Sequence, residues 1–140
     1  MKVLVTGSRK WKDPNRVEKA LVAIACEDVS YQDKEFIVIH GGAKGPDSIA
    51  GGWARKIHNE IPEIVESVHK PNWRLYGAAA GLIRNQEMLD QEKPDICLAF
   101  WDGMSAGTRD MINRCRKANV PVRIYREDSE NYIGVGEVSQ

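Results

Sequence analysis

Apolar positions follow two rhythms along this chain. Short runs such as Lys2-Val-Leu-Val-Thr6, Phe36-Ile-Val-Ile39 and Ile96-Cys-Leu-Ala-Phe-Trp101 read as strands. The 96–101 run is apolar at every position, as expected of a strand covered on both faces. Residues 64–68 are a weaker strand candidate, and 120–125 form a last one, with Pro121 at its start. Between them, apolar side chains recur at helical spacing. Asp13-Pro14 opens a helix reaching about Cys26, carrying Val17, Leu21 and Ile24. A second helix follows Pro46-Asp47, with Ile49, Trp53 and Ile57 on one face. A third is predicted from about Gly77 to Gln91, after a loop holding Pro71 and Trp73. A fourth, from about Gly107 to Ala118, buries Met111, Ile112 and Cys115.

Strands and helices therefore alternate five and four times, without repeat or linker. That order predicts an α/β domain, a parallel sheet with helices on both faces. Residues 1–125 form the domain, and the polar segment 126–140 is expected to be a loose tail. Ligands of such sheets bind at the carboxyl ends of the strands, so the segments after each strand are the ones to inspect.

Three of those segments carry phosphate chemistry. Thr6-Gly7-Ser8-Arg9 combines a tight turn with a hydroxyl and a guanidinium that can clamp a phosphate. His40-Gly41-Gly42-Ala43-Lys44-Gly45-Pro46-Asp47 is a glycine-rich loop opening a helix. Its backbone N–H groups could cradle an anion, and the helix terminus adds a favourable partial charge. It has neither the Gly-Lys-Ser/Thr of a Walker loop nor a Gly-x-Gly-x-x-Gly fingerprint. Asp102-Gly103-Met104-Ser105-Ala106-Gly107-Thr108 repeats the glycine-rich, pre-helical pattern, with Ser105 expected as the helix cap. Arg84-Asn85 lies mid-helix beside Ala78, Ala79, Ala80 and Gly81, from where the arginine could reach over the rim. Trp73 and Trp101 are candidate stacking platforms; Trp11 and Trp53 read as packing residues.

Charge and cysteine usage narrow the classes. Of 140 residues, 20 are basic and 20 acidic, a zero balance that counts against nonspecific nucleic-acid binding while leaving room for a local basic patch. No stretch reaches the length of a membrane span, and none reads as a secretory leader, so the chain is expected in the cytoplasm. Cys26, Cys97 and Cys115 are expected as free, buried thiols. His40, His58 and His69 show no metal-ligand spacing, and no metal site is predicted. Asp47, Asp102 and Asp110 could hold Mg²⁺ together with a bound phosphate, although carboxylates near helix starts usually act as caps. His40 is the histidine best placed for chemistry.

Taken together, the 6–9, 40–47 and 105–108 segments and Arg84-Asn85 with Met88 resemble the SLOG superfamily. Within it they look most like the YspA-type, YpsA-related branch found in bacteria and phages. The resemblance spans about residues 1–125. It implies a Rossmann-like, mainly parallel five-stranded sheet in the order 3-2-1-4-5, whose loops bind a nucleotide or nucleotide-derived ligand. The resemblance carries the phosphate-binding role onto Gly41, Gly42, Gly45, Ser105, Gly107 and Thr108 and the family's arginine onto Arg84; with Gly7, Ser8, Arg9, Ala43, Lys44, Asp47 and Asn85 from the strand ends, these make up the expected ligand site. The ligand is the one expected cofactor-like group, with Mg²⁺ as its companion. A sensor or sequestering module is the leading expectation.

The superfamily also contains LOG phosphoribohydrolases, which cleave the N-glycosidic bond of nucleoside monophosphates, and the single-strand DNA binder DprA. A LOG-like hydrolase and a DprA-like DNA binder are therefore the alternatives. LOG enzymes carry a catalytic glutamate three residues after Gly-Thr; here that position is Met111, with Asp110 one residue away. One residue rotates a helical side chain by about 100°, so direct replacement is not expected. Arg84, Asp102, Asp110 and His40 are the catalytic candidates if the chain is an enzyme. Related domains imply a homo-oligomer, a dimer; the expected partner is a small nucleotide-like molecule, not a membrane, and nucleic acid is not expected.

Overall fold

A computed structural model describes residues 1–27 and 35–137. Strands β1 (Lys2–Gly7), β2 (Phe36–His40), β3 (Ile64–Val68), β4 (Ile96–Phe100) and β5 (Val122–Tyr125) pair in parallel, in the order 3-2-1-4-5. A sixth, β6 (Ile133–Val135), adds to β5 in the antiparallel sense. The helices are α1 (Pro14–Glu27), α2 (Pro46–His58), α3 (Trp73–Tyr76), α4 (Ala80–Glu92) and α5 (Ala106–Lys117). The fold is the Rossmann-like α/β domain expected from the order of elements. No helix among the described residues is long and apolar enough to cross a membrane.

Strand alternation divides the core between the two faces of the sheet. Val3, Val5, Val38, Leu98 and Phe100 point to one face, packed with Val17, Leu21, Ala50 and Trp53 of α1 and α2. Leu4, Ile39, Cys97 and Ala99 point to the other, against Met88, Met111 and Cys115 of α4 and α5. Strand β4 lies between β1 and β5 and is buried at all five positions, which explains its unbroken apolar sequence. Trp11 closes the first core, meeting the Phe100 ring edge-on at 5.4 Å.

Four details depart from the sequence reading. Residues 133–135 of the supposedly loose tail form β6; Arg123 holds this end by pairing with Glu27 at 3.0 Å and Glu137 at 2.5 Å. Residues 138–140 lie outside the described part of that tail. Trp73 stands in the single helical turn α3, capped by Asn72, and a 3-10 turn at Gly77–Ala79 precedes α4. Helix formation there begins earlier than the alanines suggested, because the Asn72 side chain accepts the Leu75 N–H. Cys26 is exposed, on the outer side of α1, whereas Cys97 and Cys115 are buried.

Candidate functional site

The carboxyl ends of β1, β2 and β4 come together through small residues and one serine. A Cβ on Gly7 would lie against Pro46 and 2.7 Å from the Phe100 carbonyl. Gly45 has φ 86°, and a Cβ there would sit 2.7 Å from the Ser8 carbonyl. Ser8 is 2% exposed, and its hydroxyl accepts the Asp102 N–H at 3.0 Å. Ser8 thus joins the 41–45 loop on one side to the 102–107 loop on the other. The convergence inferred from three separate motifs is present in the folded chain.

The interior of the 41–45 loop is filled by its own side chains. Asp47, on the first turn of α2, is 5% exposed. Its Oδ2 accepts the N–H of Gly41 at 2.9 Å and of Ala43 at 3.3 Å. The Gly42 N–H donates to His40 Nδ1 at 3.0 Å. Three amides that could have faced an anion are therefore engaged internally. Burial pushes the Asp47 carboxyl above its ordinary range, opposed by the nearby His40, the two amides and Arg84.

His40 is locked in the same network. Because Nδ1 accepts, Nε2 carries the proton and donates to Glu66 at 2.5 Å. Arg55 meets the same carboxylate at 2.6 Å. Burial disfavours the Glu66 anion, but His40 and Arg55 outweigh it and hold the carboxyl below its usual range. A parallel cluster lies on the other face of β3, where Ser67 and His69 both bond Glu92. Nothing in a single sequence paired Glu66 or Arg55 with His40; a glutamate inside an apolar strand was the available signal.

Arg84 crosses from α4 onto this loop. It donates to the Gly41 carbonyl at 2.7 Å through Nη1 and to Asn85 Oδ1 at 3.1 Å through Nε. A Cβ on Gly41 would displace this guanidinium from its place on the loop. Burial lowers the Arg84 proton affinity; the Asp47 charge works against that, and Arg9 adds to it. Arg9 is exposed and has no hydrogen bond or ion pair among the described residues. Lys44 is exposed, and the stem of Lys70 packs beside Gly42, a neighbour the motifs did not reveal.

The second loop is open by contrast. Asp102, and not Ser105, caps the approach to α5: its Oδ1 accepts the N–H groups of Met104 and Ser105, each at 2.8 Å. Those bonds, the Met104 one first, hold its carboxyl below the usual range. Ser105 makes no side-chain cap bond. Gly107 has nothing within 4 Å of where a Cβ would stand, and Thr108 is buried. The Trp101 indole donates to the Ser105 carbonyl at 3.1 Å, with the Arg109 guanidinium 5.5 Å from its ring. Asn85, 4% exposed, links the helices by donating to Asp110 at 3.0 Å and to the Gly107 carbonyl at 3.4 Å. Arg114 takes the same Asp110 oxygen at 2.7 Å, so Asp110 faces α4 and not the rim.

The comparisons with known proteins identify the family and the fold. The family model described as YspA, cpYpsA-related SLOG family matches residues 1–76. The chain belongs to that family. Among individual proteins it is similar to the Gene 61 protein of Mycobacterium phage D29. The two are 39% identical over 121 residues, which cover 86% of this chain and 93% of the relative. Among solved structures it shares the fold of DNA processing protein A from Helicobacter pylori, with a TM-score of 0.59 and 17% identity. That match covers 94% of this chain and 68% of the other, a protein described by its single-stranded DNA binding mode.

This neighbour overturns the expectation that nucleic acid is not a partner. A DNA-binding protein is built on the same fold, and the zero charge balance behind that expectation conceals an uneven distribution. The loops following β1, β2, β3 and β5 carry Arg9, Lys10, Lys12, Lys44, Lys70 and Arg126, all exposed except half-buried Arg126. In a parallel sheet these loops share one edge. Asp13, Asp102, Glu127, Asp128 and Glu130 offset most of that total, but on the loops after β1, β2 and β3 only Asp13 opposes Arg9, Lys10, Lys12, Lys44 and Lys70. The family and the fold support binding of a nucleotide or nucleic acid in general.

Proposed function

We propose that the chain is a binding module for a nucleotide-derived ligand, which it senses or sequesters, with the phosphate held at the carboxyl edge of the sheet. The observation that carries this reading is that Arg9 and Arg84 both stand at the 41–45 loop, Arg84 donating to the Gly41 carbonyl at 2.7 Å and the Arg9 backbone lying against Gly45. Neither has an ion-pair partner among the described residues. The Asp47 charge offsets part of the repulsion between the two cations, and a phosphate between them would relieve the rest. The first N–H groups of α5, at Ala106, Gly107 and Thr108, have no acceptor within their helix and would supply the remaining donors. No three His, Cys, Asp or Glu side chains cluster as metal ligands among the described residues, so Mg²⁺ would enter on the phosphate.

A LOG-like hydrolase is less well supported. Asp110 is consumed between Asn85 and Arg114, Asp102 caps a loop, and both ring nitrogens of His40 are engaged. Single-stranded nucleic acid is the second reading. It is favoured by the basic loop edge and by Trp73 and Tyr76, which are 53% and 41% exposed beside it.

The test is a thermal-shift screen against nucleoside mono-, di- and triphosphates, NAD, ADP-ribose and a short single-stranded oligonucleotide, followed by chromatography of each ligand. Stabilisation by an intact small ligand supports the module. Release of base would establish a hydrolase instead. Binding of the oligonucleotide alone, weakening steeply with salt, would establish the nucleic-acid reading.

A further inference from the structure

Asp47 combines features shared by no other carboxylate at the rim. It is 5% exposed, yet only Oδ2 receives hydrogen bonds, from Gly41 and Ala43. Oδ1 has no hydrogen-bond donor among the described residues. It is also not sealed, because Arg16 Nη2 is the only fully buried side-chain nitrogen or oxygen there without a partner. A carboxylate oxygen that is undonated by the protein and still reachable from outside is a free acceptor for a ligand. Asp102 and Asp110 likewise take donors on one oxygen only, but Asp102 is exposed and Asp110 half-buried, whereas Asp47 is buried.

The surroundings restrict what can occupy it. Asp47 Oδ2 holds the amide of Gly41 and Arg84 Nη1 holds its carbonyl, so the two side chains flank one residue, and Arg9 adds a second positive charge on the Arg84 side. An approaching ammonium would meet both guanidinium groups, so a neutral O–H donor is the better match. Arg84 spends Nε on Asn85 and Nη1 on the carbonyls of Gly41 and His69. Its Nη2 has no protein acceptor among the described residues and remains for an anion. One molecule that offers an anion to Arg84 and a neutral hydroxyl to Asp47 is a phosphorylated sugar.

We infer that Asp47 reads the ribose of the bound ligand, its Oδ1 accepting a sugar hydroxyl while Oδ2 keeps the glycine loop closed. This rests on the phosphate site proposed above and adds a demand on the sugar. The loop glycines then serve to wrap a carboxylate that discriminates the sugar, and the phosphate is met by Arg9, Arg84 and α5.

The test is calorimetric titration of the whole protein with AMP, GMP, CMP and UMP, with their 2′,3′-dideoxy counterparts, and with ribose 5-phosphate and inorganic phosphate. Removing both hydroxyls should weaken binding by about tenfold to a hundredfold, the range of a hydrogen bond to a charged group. In Asp47→Asn, whose amide oxygen can still accept from Gly41 and Ala43, that preference should fall to near unity. Equal binding of ribo- and dideoxy forms by the wild type overturns the ribose reading and leaves the phosphate site standing. A preference that persists in folded Asp47→Asn overturns the assignment to Asp47. Absence of binding by every phosphate compound removes both this inference and the site beneath it. Should Asp47→Asn fail to fold, the Asp47 carboxyl carbon resonance of the wild type decides. AMP should move it and the dideoxy form should not, and an unmoved resonance with AMP refutes the contact.

Discussion

Two glycine-rich loops face each other across Ser8, and they are built on opposite plans. The 41–45 loop is closed: its amides bond Asp47 and His40, Arg84 covers Gly41, and Gly45 presses on the Ser8 carbonyl. The 103–107 loop is open: Met104 is 80% exposed, Ser105 has no cap bond and nothing approaches Gly107. Similar composition thus serves two ends. In the first loop glycine makes room for protein atoms that position Asp47 and Arg84. In the second it leaves room for something else. Glycine density marks close approach without saying whether the approaching group is protein or ligand.

The largest expected contrast comes from adding one methyl group to each loop. Gly45→Ala must adopt φ near 86° and push on the Ser8 backbone. We expect a stability loss of about 2–4 kcal/mol, visible as a lower urea midpoint. A loss below about 0.5 kcal/mol would show that the first loop is looser than described.

Arg84→Ala comes next. It should weaken a phosphate ligand about tenfold to a hundredfold in a titration. Arg84→Lys should not restore the affinity, because an ammonium cannot bridge Gly41, Asn85 and a phosphate together. Unchanged affinity in either variant would separate Arg84 from the ligand.

The closed loop also predicts opposite pH signatures for its two acids. Glu66 titrates below its ordinary value of 4.5, so its contribution is present above that value and is lost as pH falls through the lowered one. Glu66→Gln should therefore flatten the acid limb of a stability profile. Asp47 titrates above its ordinary 3.8, so the folded state favours its protonated form. That contribution is present below 3.8 and is lost as pH rises through the raised value. Asp47→Asn should match or exceed wild-type stability at neutral pH, with the difference closing in acid. A marked loss at neutral pH would mean that the charge itself holds the loop.

The smallest expected effect is Gly107→Ala. Nothing crowds that position, and alanine favours a helix, so stability should hold or rise by up to about 1 kcal/mol. Ligand affinity should nevertheless fall if a phosphate lies against this turn. A change in stability without a change in affinity would make the second loop an ordinary helix start.

The alternation of apolar runs and helical stripes settled the layers, the five parallel strands and their common edge, because burial on one or both faces writes itself into local periodicity. The glycine-rich motif at 41–45 read as an anion cradle, whereas in the folded chain its Gly41, Gly42 and Ala43 amides bond Asp47 and His40. Local pattern did not reveal β6, since three mostly exposed residues carry no apolar signature and pair only because β5 offers an edge. Nor could it tell which polar groups would be spent on one another. His40, Glu66 and Arg55 lie on three elements, and Arg84 and the Gly41 carbonyl that orients it on two segments far apart in the chain. Hydrogen-bond satisfaction is a property of assembled neighbours, and charge is a property of surfaces. Twenty basic and twenty acidic residues sum to zero in the sequence, whereas the parallel sheet brings Arg9, Lys10, Lys12, Lys44 and Lys70 together on the loops after β1, β2 and β3, opposed there by Asp13.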